Sequence, residues 1–161
     1  MTPTVRMSSS TDLADIFRVH RQAFGGTIEA DLVAALLDDP TAQPLLSLLA
    51  VEDDQVQGHV LFTSVRLTAP PGAEGAAILA PLAVVPAAQG KGLGGKLIEA
   101  GLDHLRQAGV ALVFVLGDPA YYSRFGFTPE SEVMPPYPLP DEWREAWQSL
   151  PLGAATEQVA G

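Results

Sequence analysis

The chain has no cysteine among its 161 residues. That excludes disulfides, thiolate metal sites and a cysteine nucleophile, though it says little about compartment. Positive charge is scarce: 9 Lys and Arg stand against 19 Asp and Glu, a net charge of −10. Non-specific nucleic-acid binding is disfavoured, because neutralising phosphates needs clustered cations. An acidic balance mildly favours a cationic or amine partner, although it also serves plain solubility. No apolar run approaches the length of a membrane span. The opening MTPTVRMSSSTD lacks the apolar stretch of a secretory signal. The expected location is the cytoplasm, with no membrane partner. The composition that remains, 47% hydrophobic and 17% charged, is that of a globular chain able to bury a real core. Residues 1–161 are read as a single domain.

The most informative stretch is Leu79 to Gly95, LAPLAVVPAAQGKGLGG. An apolar run with strand character ends at Val85-Pro86, a glycine-rich turn follows, and then a helical pattern begins. Backbone amides converging at the positive end of a helix hold a pyrophosphate without base-specific side chains. Gly90, Gly92 and Gly95 satisfy the dinucleotide fingerprint G-x-G-x-x-G. They fall past the midpoint of the chain, however, and Val110 to Leu116 offers no acid for a ribose. Gly90 to Lys96 nearly satisfies a P-loop, but Leu97 follows and has no hydroxyl for Mg²⁺. The third pattern is Gln89-x-x-Gly92-x-Gly94, preceded by Leu82, Val84 and Pro86. A glycine-rich helix start that only permits tight packing is the bland alternative.

A second segment, VFVLGDPAYYSRFGF from Val113 to Phe127, narrows the choice. Val110 to Leu116 reads as a strand buried on both faces. Asp118 caps a short helix that has Pro119 at its first position. Together, LAPLAVVP with Gln89-x-x-Gly92-x-Gly94, and Leu-Gly-Asp-Pro with Tyr-Tyr-x-Arg-Phe-Gly-Phe, resemble the GCN5-related N-acetyltransferases. The resemblance is nearest to the predicted acetyltransferases of the YhbS type and covers roughly residues 4 to 130. It implies an α/β (α+β) fold. A mixed, mostly antiparallel sheet of six to seven strands would splay between strands 4 and 5, flanked by about four helices.

The element order read along the chain agrees. Thr4 to Met7 is a short strand, and Ser10 or Thr11 caps a helix whose apolar face is Leu13, Ile16, Phe17, Val19 or His20, and Phe24. A second helix runs from Ile28 to Leu37. Leu45 to Glu52 and Gln57 to Leu67 form strands around the turn Asp53-Asp54. Leu93, Leu97, Ile98, Leu102 and Leu105 share one face of the central helix, which Gly109 stops. Residues 128–161 are a Pro-rich segment of uncertain structure. Local propensity makes DEWREAWQSL a helix, whereas the resemblance implies a strand near Trp143 to Leu150.

The resemblance also implies the chemistry: an acetyl group moves from acetyl-CoA to a primary amine by direct attack in a ternary complex, with no metal. Leu82, Ala83 and Val84 would run beside the pantetheine arm, with a backbone N–H at Leu82 donating to the oxyanion. Gln89, Gly90, Lys91, Gly92, Leu93, Gly94 and Gly95 would hold the pyrophosphate. Lys91 and Lys96 are phosphate neighbours or solvated helix residues. Tyr122 matches the family's proton donor to the leaving thiolate, or positions the cofactor, and Tyr121 should point elsewhere. No acid stands on Ala76 to Leu82 to act as base. Glu29 is the base candidate beside His59 and Glu74, although a carboxylate at a helix start is favourable for charge alone. His20 reads as an ordinary helix residue. The assembly is a monomer or homodimer. The alternatives are a catalytically silent acyl-CoA sensor or assembly subunit, and a nucleotide-binding protein.

Overall fold

A computed structural model of the chain describes residues 3–38, 45–65, 76–130 and 145–152. Seven strands form one mixed sheet flanked by helices. In chain order the elements are β1 (Thr4–Met7), α1 (Leu13–Phe24), α2 (Ile28–Leu37), β2 (Leu46–Glu52), β3 (Gln55–Val65) and β4 (Ala76–Val84). Then follow α3 (Leu93–Gln107), β5 (Leu112–Leu116), α4 (Pro119–Tyr122), β6 (Thr128–Pro129) and β7 (Trp147–Pro151). The sheet order is β1-β2-β3-β4-β5-β7-β6.

Neighbouring strands pair antiparallel except β4 with β5, which run parallel. That parallel pairing covers only Ala76–Leu79 against Leu112–Val115. Beyond Leu79, β4 continues to Val84 without β5 beside it, so the sheet splays there. Across from β3, Phe62 faces Leu79 and Val60 faces Leu82. Ala80 and Pro81 therefore stand opposite Leu61 alone, a bulge at the place where proline removes a ladder donor.

Alternation along β3 assigns the helices to faces. A Cβ on Gly58 would touch Leu97 of α3, and one on Gly101 of α3 would overlap the Phe62 ring, so even positions of β3 face α3. His59 contacts His20 of α1, so odd positions face the opposite layer. The expected apolar stripe of α3 (Leu93, Leu97, Ile98, Leu102 and Leu105) is buried. In α1 the buried residues are Ile16, Val19 and His20, while Leu13 and Phe24 at the helix ends are exposed. Their exposure corrects the face read from periodicity.

The start of the first helix is a 3-10 turn, Ser10–Asp12, whose capping box pairs Ser9 with Asp12. Asp12 also accepts two hydrogen bonds of 3.0 Å from the Arg6 guanidinium. That partner holds the Asp12 carboxyl down at about 2. At the C-terminal end, Trp147–Pro151 is a strand rather than the helix that propensity favours. Its partner β5 and the stacking of Trp147 on Phe114, 5.2 Å between centroids, override local preference. Glu74, Leu67, Tyr137, Trp143 and Pro135–Pro140 lie outside the described residues.

Candidate functional site

The glycine-rich loop is built by two left-handed residues. Gly90 has φ +82° and Gly92, the N-cap of α3, has φ +81°. Side chains other than hydrogen rarely adopt this conformation. A Cβ at either position would meet nothing within 4 Å, so the loop borders open space. A cleft of about 450 Å³ lies there, between Leu82 and Val84 on one side and Gly90, Gly92 and Gly94 on the other. It sits at the N-terminus of a 15-residue helix, where free amides and the helix dipole favour an anion.

The open edge of β4 faces this cleft. Val85 N–H donates to the Gln57 carbonyl of β3 at 2.9 Å. By strand alternation the backbone groups of Leu82 and Val84 point away from β3, toward the splay. The Val84 carbonyl accepts from Gln89 Nε2 at 2.9 Å on that same side. Gln89 therefore braces the loop against β4. Ala83 is 3% exposed and paired opposite His59, so it does not line the cleft.

The cations near the loop occupy different places. Lys91 Nζ lies 3.8 Å from Glu52 Oε1, at the end of the β2–β3 hairpin. Lys96 borders an adjoining surface depression with Glu99, Asp103 and Arg106, and Arg124 and Phe125 line both this depression and the glycine cleft. Among the described residues, the basic one that lines the glycine cleft is Arg124, which sequence reasoning passed over. Its guanidinium carbon lies 4.7 Å from the Tyr121 ring centroid, within cation–π range. Its place in Tyr-Tyr-x-Arg-Phe-Gly-Phe was the available signal.

The adjacent tyrosines face two different spaces. A Cβ on Gly94 would come 2.6 Å from the Tyr121 hydroxyl, so Tyr121 closes over the glycine loop. Tyr121 thus points away from the space that Tyr122 lines. Tyr122 lies on Gly117, where any Cβ would overlap its ring. It lines a second cavity of about 570 Å³ together with Glu29, Leu82 and Phe24. Burial, and then the neighbouring Tyr121, push the Tyr122 hydroxyl up to about 12. The turn that sets this geometry is capped by Asp118, whose carboxylate accepts from Ala120 N–H at 2.9 Å. Leu82 belongs to both spaces.

Of the base candidates, Glu29 is half-buried at the start of α2 and borders the second cavity. Its carboxylate has no hydrogen bond or ion pair among the described residues. His59 is not at this site. It is fully buried, with Nδ1 2.8 Å from His20 Nε2 and Nε2 2.8 Å from Ser47 Oγ. Ser8 Oγ donates in turn to Ser47 at 2.6 Å. Burial lowers both histidines, His20 to about 4 and His59 to about 3. Both rings are neutral at physiological pH.

A family model described as an acetyltransferase (GNAT) domain matches residues 4–129. YjhQ of Escherichia coli strain K12, an uncharacterized N-acetyltransferase, is 43% identical over 161 residues, covering 98% of this chain and 89% of its own. A GNAT family acetyltransferase from Brucella melitensis, solved with acetyl-CoA, superposes with a TM-score of 0.75 at 37% identity. That match covers 94% of this chain and 89% of the other. YhbS of Escherichia coli, solved with CoA, gives a TM-score of 0.77 at 32% identity, covering 94% and 82%. No helix among the described residues is long and apolar enough to cross a membrane.

Proposed function

This chain belongs to the GNAT acetyltransferase family, and from that premise we propose that it moves an acetyl group from acetyl-CoA to a primary amine by direct attack in a ternary complex. The observation that carries this reading is the position of Leu82, shared by the glycine-loop cleft and the second cavity. Two similar proteins were solved with acetyl-CoA and with CoA, which supports the same ligand in this cleft. The pyrophosphate rests on the amides of Gly90 to Gly95, with Arg124 beside it. The pantetheine amides pair with the free edge of Leu82 and Val84. The thioester carbonyl then reaches Leu82, whose N–H faces the splay and donates to the oxyanion as it forms.

Holding the thioester and amine together replaces a bimolecular encounter with a near-unimolecular step. Glu29 takes the proton from the incoming ammonium. The free amine attacks the carbonyl carbon, the nitrogen of the tetrahedral intermediate gives its second proton to solvent, the C–S bond breaks, and the electron pair leaves on sulfur. Tyr122 acts as general acid by hydrogen-bonding that sulfur. A phenol at about 12 keeps its proton while it donates that hydrogen bond. An ordinary thiol titrates near 8.5, so complete transfer from the phenol runs uphill, and the thiolate takes its final proton from solvent. The setting is the cytoplasm, where acetyl-CoA is available.

The test is a free-thiol assay with acetyl-CoA and a panel of primary amines, with the N-acetylated product identified by mass. Amine-dependent thiol release is expected. Stabilisation by CoA without turnover of any amine would favour the silent acyl-CoA-binding alternative. Stabilisation by Mg-ATP or NAD and not by CoA would overturn the reading of the loop.

A further inference from the structure

The second cavity carries information about its occupant. Its walls are Phe24, Leu32, Leu36, Ile78, Pro81 and Leu116. Among the described lining residues Glu29 alone is charged. The apolar surface continues outward: Phe24 is 47% exposed, Leu32 43% and Ile28 79%. Large apolar side chains gathered at a cavity mouth mark a ligand or partner surface. Tyr122 and Leu82 close the inner end.

We propose that the acceptor is a small hydrophobic primary amine, a single ammonium on an alkyl or aryl body. The inference rests on the acetyl-transfer reading for its chemistry and on the cavity alone for its selectivity. One unpaired carboxylate suits one ammonium, and the chain's net charge of −10 attracts it. A polyamine or aminoglycoside would have to bury further cations against leucine and phenylalanine, with no second acid lining the cavity among the described residues. A volume of about 570 Å³ lies within the range of small-molecule sites.

The experiment measures kcat/KM for the series propylamine to hexylamine, for 2-phenylethylamine, and for spermidine and kanamycin. Each added methylene is expected to raise kcat/KM about three- to fourfold until the cavity fills. Phenylethylamine and hexylamine should exceed spermidine and kanamycin at least tenfold. Leu32→Asp places a second acid at an exposed wall position. It should lower hexylamine turnover about tenfold and raise that of spermidine, with the KM for acetyl-CoA unchanged. A flat alkylamine series overturns the proposal. So does faster turnover of the polar amines, or of a peptide N-terminus while both hydrophobic amines are inert, and each of these leaves acetyl transfer standing. Calorimetric binding of phenylethylamine to the CoA-saturated protein separates the two readings. Binding without turnover upholds the hydrophobic pocket and overturns transfer, whereas neither binding nor turnover of both hydrophobic amines overturns the proposal.

Discussion

His20 Nε2 and His59 Nδ1 lie 2.8 Å apart, and both rings are fully buried between α1 and the sheet. A neutral pair satisfies this geometry with one proton between the facing nitrogens. The far side of His59 is held by Ser47, and that hydroxyl by Ser8. A second proton on either ring would put a charge where water cannot reach.

The pair therefore predicts acid lability. Burial lowers both folded-state values far below the ordinary histidine value of 6.5. Below pH 6.5 the unfolded chain binds protons that the folded chain refuses, so stability falls as pH falls. The slope is about 1.4 kcal/mol per pH unit for each histidine until the folded values near 4 and 3 are reached. Urea midpoints at pH 7, 6, 5 and 4 check it. A midpoint constant from pH 7 to 5 would show that the pair is hydrated and titrates normally.

The central helix crosses the sheet at Gly101, where a Cβ would overlap the Phe62 ring. Both residues are buried. Gly101→Ala should gain helix propensity yet lose more through overpacking, a net cost of about 1–3 kcal/mol. That corresponds to a melting point lower by roughly 3–10 °C. A melting point equal to or above that of the parent would mean that the helix shifts without penalty.

The glycine loop predicts a separation of binding from folding. A side chain at Gly92 meets open space but needs φ +81°, which costs about 1 kcal/mol. Gly92→Glu should stay folded and lose CoA affinity by roughly 100-fold or more, since a carboxylate would fill the anion site. Arg124→Ala should weaken CoA by about 3–10-fold, an exposed charge contact. Lys91→Ala should change it less than about twofold, because Lys91 is aimed at Glu52. Calorimetric CoA titration ranks the three. A larger loss in the Lys91 variant than in the Arg124 variant would reverse the assignment of the cation.

The two tyrosines predict opposite kinetic signatures. Tyr121 lies against Gly94 in the loop cleft, so Tyr121→Phe should raise the KM for acetyl-CoA and leave kcat nearly unchanged. Tyr122 faces the cavity with Glu29. Tyr122→Phe should lower kcat by about 10–100-fold, the range for losing one hydrogen bond to a developing charge, with acetyl-CoA KM within about twofold. Steady-state kinetics on the most active amine reads both. An unchanged kcat in the Tyr122 variant would make that ring a packing residue.

Much of this protein is local, and what is local is legible in the chain. The bounds of α2, Ile28 to Leu37, follow from periodicity and glycine punctuation, which act over a few residues. The Asp118–Pro119 cap and the buried stripe of α3 follow for the same reason. The loop order Gln89-x-x-Gly92-x-Gly94 is local too, and with it the family resemblance. Tertiary structure decided the rest. Whether Trp147–Pro151 is strand or helix depends on β5, more than thirty residues away, and a hydrogen-bonded edge outweighs a weak propensity. Which tyrosine faces which cavity depends on empty space at Gly94 and Gly117, separated by most of α3 and all of β5. The pairing of His20 with His59 depends on how α1 lies across the sheet. Periodicity marks a helix face, but the orientation of that face over the sheet is set only when both pack together.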